Sequence, residues 1–106
     1  MHASNPLAIP HQQLAAFASR WRVRSLSLFG SALRGDFRPD SDVDLLVEFH
    51  DDASPSLFDL FRMEDELREL FGRPVDLTTR QSVQESRNWI RRREILNTAR
   101  TIYDAA

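Results

Sequence analysis

The seven residues Val43-Asp44-Leu45-Leu46-Val47-Glu48-Phe49 form the strongest strand signal in the chain. A strand this apolar needs cover, and the segments around it have helical spacing. Leu14, Phe17, Ala18 and Trp21 recur at that spacing after Pro10, a residue tolerated at a first helical position, and predict a helix over roughly residues 10–20. Val23 to Phe29 reads as a buried strand that Gly30-Ser31 ends abruptly. Ser31 to Arg34 has room for a short helical turn, and residues 35–41 are a turn-forming loop. Beyond a solvated loop at 50–55, Ser56 can cap a helix whose Leu57, Leu60, Phe61, Leu67, Leu70 and Phe71 form one face. Gly72 stops it and Pro74 discourages a restart. Val75 to Thr78 is a short third strand. Ser82 and Glu85 have capping-box spacing, and they open a last helix with Trp89, Leu96, Ala99, Ile102 and Tyr103 along one side. The expected architecture is therefore α/β (α+β), a small mixed β-sheet with helices packed against it.

The 106 residues are expected to make one domain with one modest core, residues 1–9 being a loose lead-in. No apolar run has the length of a membrane span, and no basic leader precedes a hydrophobic stretch. The absence of cysteine excludes disulfides and thiolate metal sites and suits a reducing cytoplasm. All 14 basic residues are arginine, yet the net charge is -2. That balance argues against direct nucleic-acid binding, which normally demands a basic surface.

The chemistry concentrates at the start of the strongest strand. Asp42 and Asp44 lie two apart, so their carboxylates project from one face. Two carboxylates that close repel one another unless a cation lies between them. Magnesium takes oxygen ligands and combines one or two carboxylates with waters and substrate phosphates, which fits the pair to a metal–triphosphate complex. Gly30 has no side chain to block a phosphate, and the Ser31 hydroxyl adds a donor at the start of the following turn. Arg34, one turn on, can reach a phosphate or anchor the acidic loop. Asp76, between apolar Val75 and Leu77 that would point into a core, is the best-placed third carboxylate. In a two-metal arrangement Asp42 and Asp44 would bridge both ions, while Asp76 would bind the one that activates the attacking hydroxyl. Singly, each element has a plainer reading as a turn or a solvated edge charge; their order and combination favour the site.

These residues resemble a known family. Gly30-Ser31, ten intervening residues and Asp42-Val43-Asp44 match the signature of the polymerase-beta-like nucleotidyltransferase superfamily. The stretch from Phe29 to Glu48 is similar to its minimal nucleotidyltransferase (MNT) branch, and the similarity continues through Ser56 to Leu60, Gly72 to Leu77 and the Ile90-Arg91 to Ile95-Leu96 helix. Leu33 departs from it, standing where the family usually has a small residue. The resemblance implies the polymerase-beta-like nucleotidyltransferase fold, with Asp76 as the third carboxylate. It also implies an antitoxin paired with a HEPN-domain ribonuclease toxin, silencing it by transferring AMP from ATP, with Mg²⁺ (two ions), to a tyrosine of the toxin. A chain this small has little material for an acceptor-binding domain, which suits an acceptor presented by another macromolecule. Two other readings are a catalytically silent antitoxin that acts by covering its partner, and a small-molecule nucleotidyltransferase.

The remaining features are expected to be structural. Successive helix residues lie about 100° apart, so Arg91, Arg92 and Arg93 cannot share a face and read as a solvated surface. Trp89 and Tyr103 read as core-facing, and His50 with Asp51 and Asp52 as a mobile acidic loop. His2 and His11 carry no functional signal.

Overall fold

The computed structural model describes residues 8–30 and 42–105. The expected turn at 31–34, the loop at 35–41 and most of the lead-in lie outside the described residues.

Helix α1, His11–Trp21, buries Leu14, Phe17 and Ala18, an i, i+3, i+4 stripe. Pro10 precedes the helix instead of opening it, and its carbonyl accepts the Leu14 N–H at 2.9 Å. Arg22 ends the helix in the left-handed region, with φ 58°, and turns the chain into strand β1, Val23–Phe29. Strand β2, Val43–Phe49, pairs antiparallel with β1. Its odd-numbered members Val43, Leu45 and Val47 are buried against α1 and the next helix, while Asp44, Leu46 and Glu48 face the other way.

Helix α2, Leu57–Phe71, opens with a capping box in which the Ser56 side chain accepts the Asp59 N–H at 3.1 Å and the Asp59 carboxylate accepts the Ser56 N–H at 2.9 Å. Gly72, with φ 70°, ends it. Its core-facing stripe is the buried Met63 and Leu67 with the partly buried Leu60, Leu70 and Phe71. The expected face is corrected at two positions, since Leu57 and Phe61 are 65% and 55% exposed. At about 100° per residue both fall well off the stripe that Met63 completes.

Helix α2 is also the crossover that brings strand β3, Val75–Thr79, parallel to β2. The last helix is not continuous. Helix α3, Arg80–Gln84, starts from a Thr79 cap, and the expected capping box at Ser82 and Glu85 does not form. Helix α4, Trp89–Thr98, starts instead at Asn88, whose side chain accepts the Arg91 N–H at 3.1 Å. Ala99 takes extended dihedrals, and Arg100–Asp104 becomes strand β4, antiparallel to β1. Ile102 and Tyr103 thus reach the core from a strand, where Thr, Ile and Tyr are favoured.

The sheet order is β3-β2-β1-β4, a mixed sheet as expected from the sequence. The larger core lies between the sheet and α1 with α2. A smaller one, Phe29, Leu46, Val83 and Ile95, lies under α3 and α4 on the opposite face. Trp89, expected in the core, is 57% exposed on the first turn of α4. Among the described residues no helix is long and apolar enough to cross a membrane.

Candidate active site

The start of β2 is held from both sides. The Val43 N–H donates to the Pro74 carbonyl at 2.9 Å, tying the strand to the turn that follows α2. This contact accompanies a parallel register in which Val43 meets Val75, Asp44 meets Asp76 and Leu45 meets Leu77. Neighbouring strands lie about 4.8 Å apart, so the Asp44 and Asp76 side chains start as close neighbours on one face. Asp44 is half-buried and Asp76 exposed, while Val75 is buried and Leu77 packs against the core.

Strand β3 is an edge strand among the described residues, and helix α2 packs against it. Glu64 accepts the Leu77 N–H at 2.9 Å and is itself held by Arg68 at 3.0 Å. A helix residue therefore anchors the strand one position past Asp76.

On the other side Asp44 is paired with Phe29, the last residue of β1. Gly30 follows with φ +72°, a conformation that residues with a side chain rarely adopt. A Cβ there would collide with Oδ2 of Asp44 and sit 3.2 Å from its Cγ. The missing side chain is what allows the carboxylate to lie against the strand end. Asp42 stands exposed just before β2, two residues from Asp44.

The structure thus brings Gly30, Asp44 and Asp76 together, with Asp42 at the strand's threshold. Ser31 and Arg34 lie outside the described residues. Among those described, no three His, Asp or Glu side chains converge closely enough to hold an ion. The donor set itself is all carboxylate oxygen, the chemistry of a hard divalent cation, and the absent side chain of Gly30 makes room for the Asp44 carboxylate.

A cleft of about 540 Å³ opens beside this point, within the usual range for small-molecule sites. Phe29, Gly30 and Asp44 line it from the sheet side, and Asn88, Ile90, Arg91, Glu94, Ile95 and Thr98 from α4 and its cap. Phe29 and Ile95 belong to the smaller core and give the cleft an apolar floor. The α4 residues were not among the expected site residues. Their signal was present in the spacing, because 88, 91, 95 and 98 form one helical stripe.

A perturbed titration lies elsewhere. At the far end of β2 the Arg22 guanidinium donates to Asp52, with Nε to Oδ1 at 3.2 Å and Nη2 to Oδ2 at 2.5 Å. The hydrogen bond to Arg22 holds the Asp52 carboxyl below the usual carboxylate range.

Residues 11–101 match the family model of the nucleotidyltransferase domain. The protein adenylyltransferase MntA of Thermococcus cleftensis is 42% identical over 65 residues, which are 61% of this chain and 64% of that protein. The chain spans less than two thirds of that curated relative's length. Among solved structures, a provisionally named minimal nucleotidyltransferase is similar with a TM-score of 0.63 and 29% identity, over 84% of this chain and 85% of that one. A toxin–antitoxin structure with AMP-PNP shares the fold, with a TM-score of 0.68 at 14% identity, over 91% of this chain and 74% of that one. With 11–101 matched and the α/β fold shared, this chain belongs to the nucleotidyltransferase domain family.

Proposed function

We propose that the chain is a magnesium-dependent protein adenylyltransferase, the antitoxin of a toxin–antitoxin pair, and that it silences a HEPN-domain ribonuclease toxin by attaching AMP to one of its tyrosines. The observation that carries the reading is the parallel register of Asp44 with Asp76, next to a glycine whose missing side chain lets the Asp44 carboxylate lie against the end of β1. Support comes from a relative that bears the name protein adenylyltransferase and from fold neighbours described as toxin–antitoxin structures, one with AMP-PNP and one of MntA with HepT.

In this reading Asp42, Asp44 and Asp76 hold the divalent ions, while Gly30, Ser31 and Arg34 receive the triphosphate. When bound, the ions neutralise phosphate charge and lower the pKa of the attacking hydroxyl. Gly30 lets the Asp44 carboxylate lie against the end of β1, where any Cβ would collide with it. The tyrosine oxygen attacks the α-phosphorus of ATP, and the bond from that phosphorus to the oxygen bridging to the β-phosphate breaks. Pyrophosphate leaves, and the hydroxyl proton passes toward Asp76, which is exposed on the rim of the sheet. Alignment and charge stabilisation do most of the work in such a transfer. The site of action is the cytoplasm, where ATP and an intracellular ribonuclease meet.

The test is to mix the chain with the protein encoded beside it, ATP and Mg²⁺, and to weigh that protein by mass spectrometry. The expected result is a gain of AMP on a tyrosine, absent when Asp42 and Asp44 are changed to Asn. No mass gain, with inhibition persisting in the Asn variant, would replace the transferase reading by one of silent blocking.

A further inference from the structure

We infer that Arg91 is a polyphosphate contact of the nucleotide site, reaching it from α4 across the cleft; this rests on the nucleotidyltransferase reading above.

The run Arg91-Arg92-Arg93 divides in three directions. Arg92 donates from Nη1 to the Ser86 carbonyl at 2.9 Å and ties α4 to the end of α3. Arg93 is exposed and lines neither the cleft nor the adjoining hollow. Arg91 alone of the three lines the cleft with Gly30 and Asp44. It also borders a second hollow of about 230 Å³ together with Thr78, which stands on β3 two residues past Asp76 and on the same face. Arg91 therefore shares the cleft with Asp44 and reaches the face of β3 that carries Thr78.

Its electrostatic state makes it a receptor for an anion. Arg91 forms no ion pair among the described residues, although Glu94 follows one turn later and lines the same cleft. The Asn88 cap fixes the backbone at Arg91, so the side chain leaves the helix from a rigid point. Asp44 on one wall and, on the other, a guanidinium with no ion pair among the described residues would suit a ligand carrying a metal ion at one end and polyphosphate at the other. The planar guanidinium donates two parallel hydrogen bonds to phosphate oxygens, which an ammonium does not match.

The role is assigned to the β- and γ-phosphates, because in the transfer the α-phosphorus is the reacting atom and would lie at the carboxylates. A nucleotide without those phosphates should not depend on Arg91.

The experiment is isothermal titration of the full chain with Mg²⁺–AMP-PNP and, separately, with AMP. Wild type is compared with Arg91→Gln, Arg91→Lys and, as a control in the same run, Arg93→Gln. Circular dichroism checks that each variant melts like wild type. The expected result is a loss of AMP-PNP affinity of roughly ten- to a hundredfold for Arg91→Gln, the range for a charge-assisted bond. Arg91→Lys should recover part of it, Arg93→Gln should lose nothing, and AMP binding should not change. AMP-PNP bound equally by wild type and Arg91→Gln overturns the inference and leaves the nucleotidyltransferase reading standing. Wild type that binds no Mg²⁺–AMP-PNP overturns both. Equal losses for AMP and AMP-PNP also overturn it, since they mark a contact to the nucleoside or a general distortion.

Discussion

Gly30 and Asp44 occupy adjoining space that only a glycine permits: its φ is +72°, and a Cβ would overlap the Asp44 carboxylate. The two constraints act together. Gly30→Ala must adopt a left-handed conformation, at about 1–2 kcal/mol, and must also displace Asp44. Transfer activity is expected to fall more than tenfold, with a modest loss of stability that thermal melting would record. A Gly30→Ala variant with full activity would mean that the Asp44 position does not matter.

Glu64 is expected to control β3 from a distance. Its carboxylate accepts the Leu77 N–H in a part-buried setting, so Glu64→Ala leaves that donor without its partner, at about 1–3 kcal/mol. Glu64→Gln keeps an acceptor oxygen and should lose less. Urea unfolding of the two variants gives the comparison, and equal losses would contradict the role of the hydrogen bond.

This anchor was not legible in the sequence, and the reason is physical. Strands 23–29 and 43–49 and the helix capped by Ser56 were legible because apolar patterning and local caps are short-range signals. The pairing of Asp44 with Asp76 depends on how α2 returns the chain, which only tertiary packing decides. Strand β4 was hidden because Leu96, Ala99, Ile102 and Tyr103 have spacing that fits a helix and no Gly or Pro marks the break. Helix geometry separates the three arginines, but that Arg91 is the one facing the cleft follows only from where α4 lies.

The Arg22–Asp52 pair predicts a small acid sensitivity. Asp52 has a folded pKa depressed below its unfolded value, so its contribution is present above roughly pH 4 and is lost as pH falls through the lower folded value. The difference in melting temperature between wild type and Asp52→Asn should therefore shrink with acid. Both groups are exposed, so added salt should shrink it as well. A difference constant from neutral pH down to about pH 2, below the ordinary carboxylate range, would contradict the assignment.

Exposure separates two aromatic substitutions. Trp89→Ala removes a side chain that is 57% exposed and should change stability by about 0.5 kcal/mol or less. Phe17→Ala empties a fully packed position in the larger core and should cost about 3–5 kcal/mol. Denaturant midpoints would show a reversed order if Trp89 were a core residue.

Divalent ions are expected to be held where β2 and β3 begin. Crystals grown with Mn²⁺ and AMP-PNP, examined by anomalous scattering at the manganese edge, locate the ions without reference to activity. The prediction is a peak within about 2.5 Å of carboxylate oxygens of both Asp44 and Asp76, with the analogue's phosphates beside Gly30. A bound analogue with no manganese at those carboxylates, or with its phosphates away from Gly30, would contradict it.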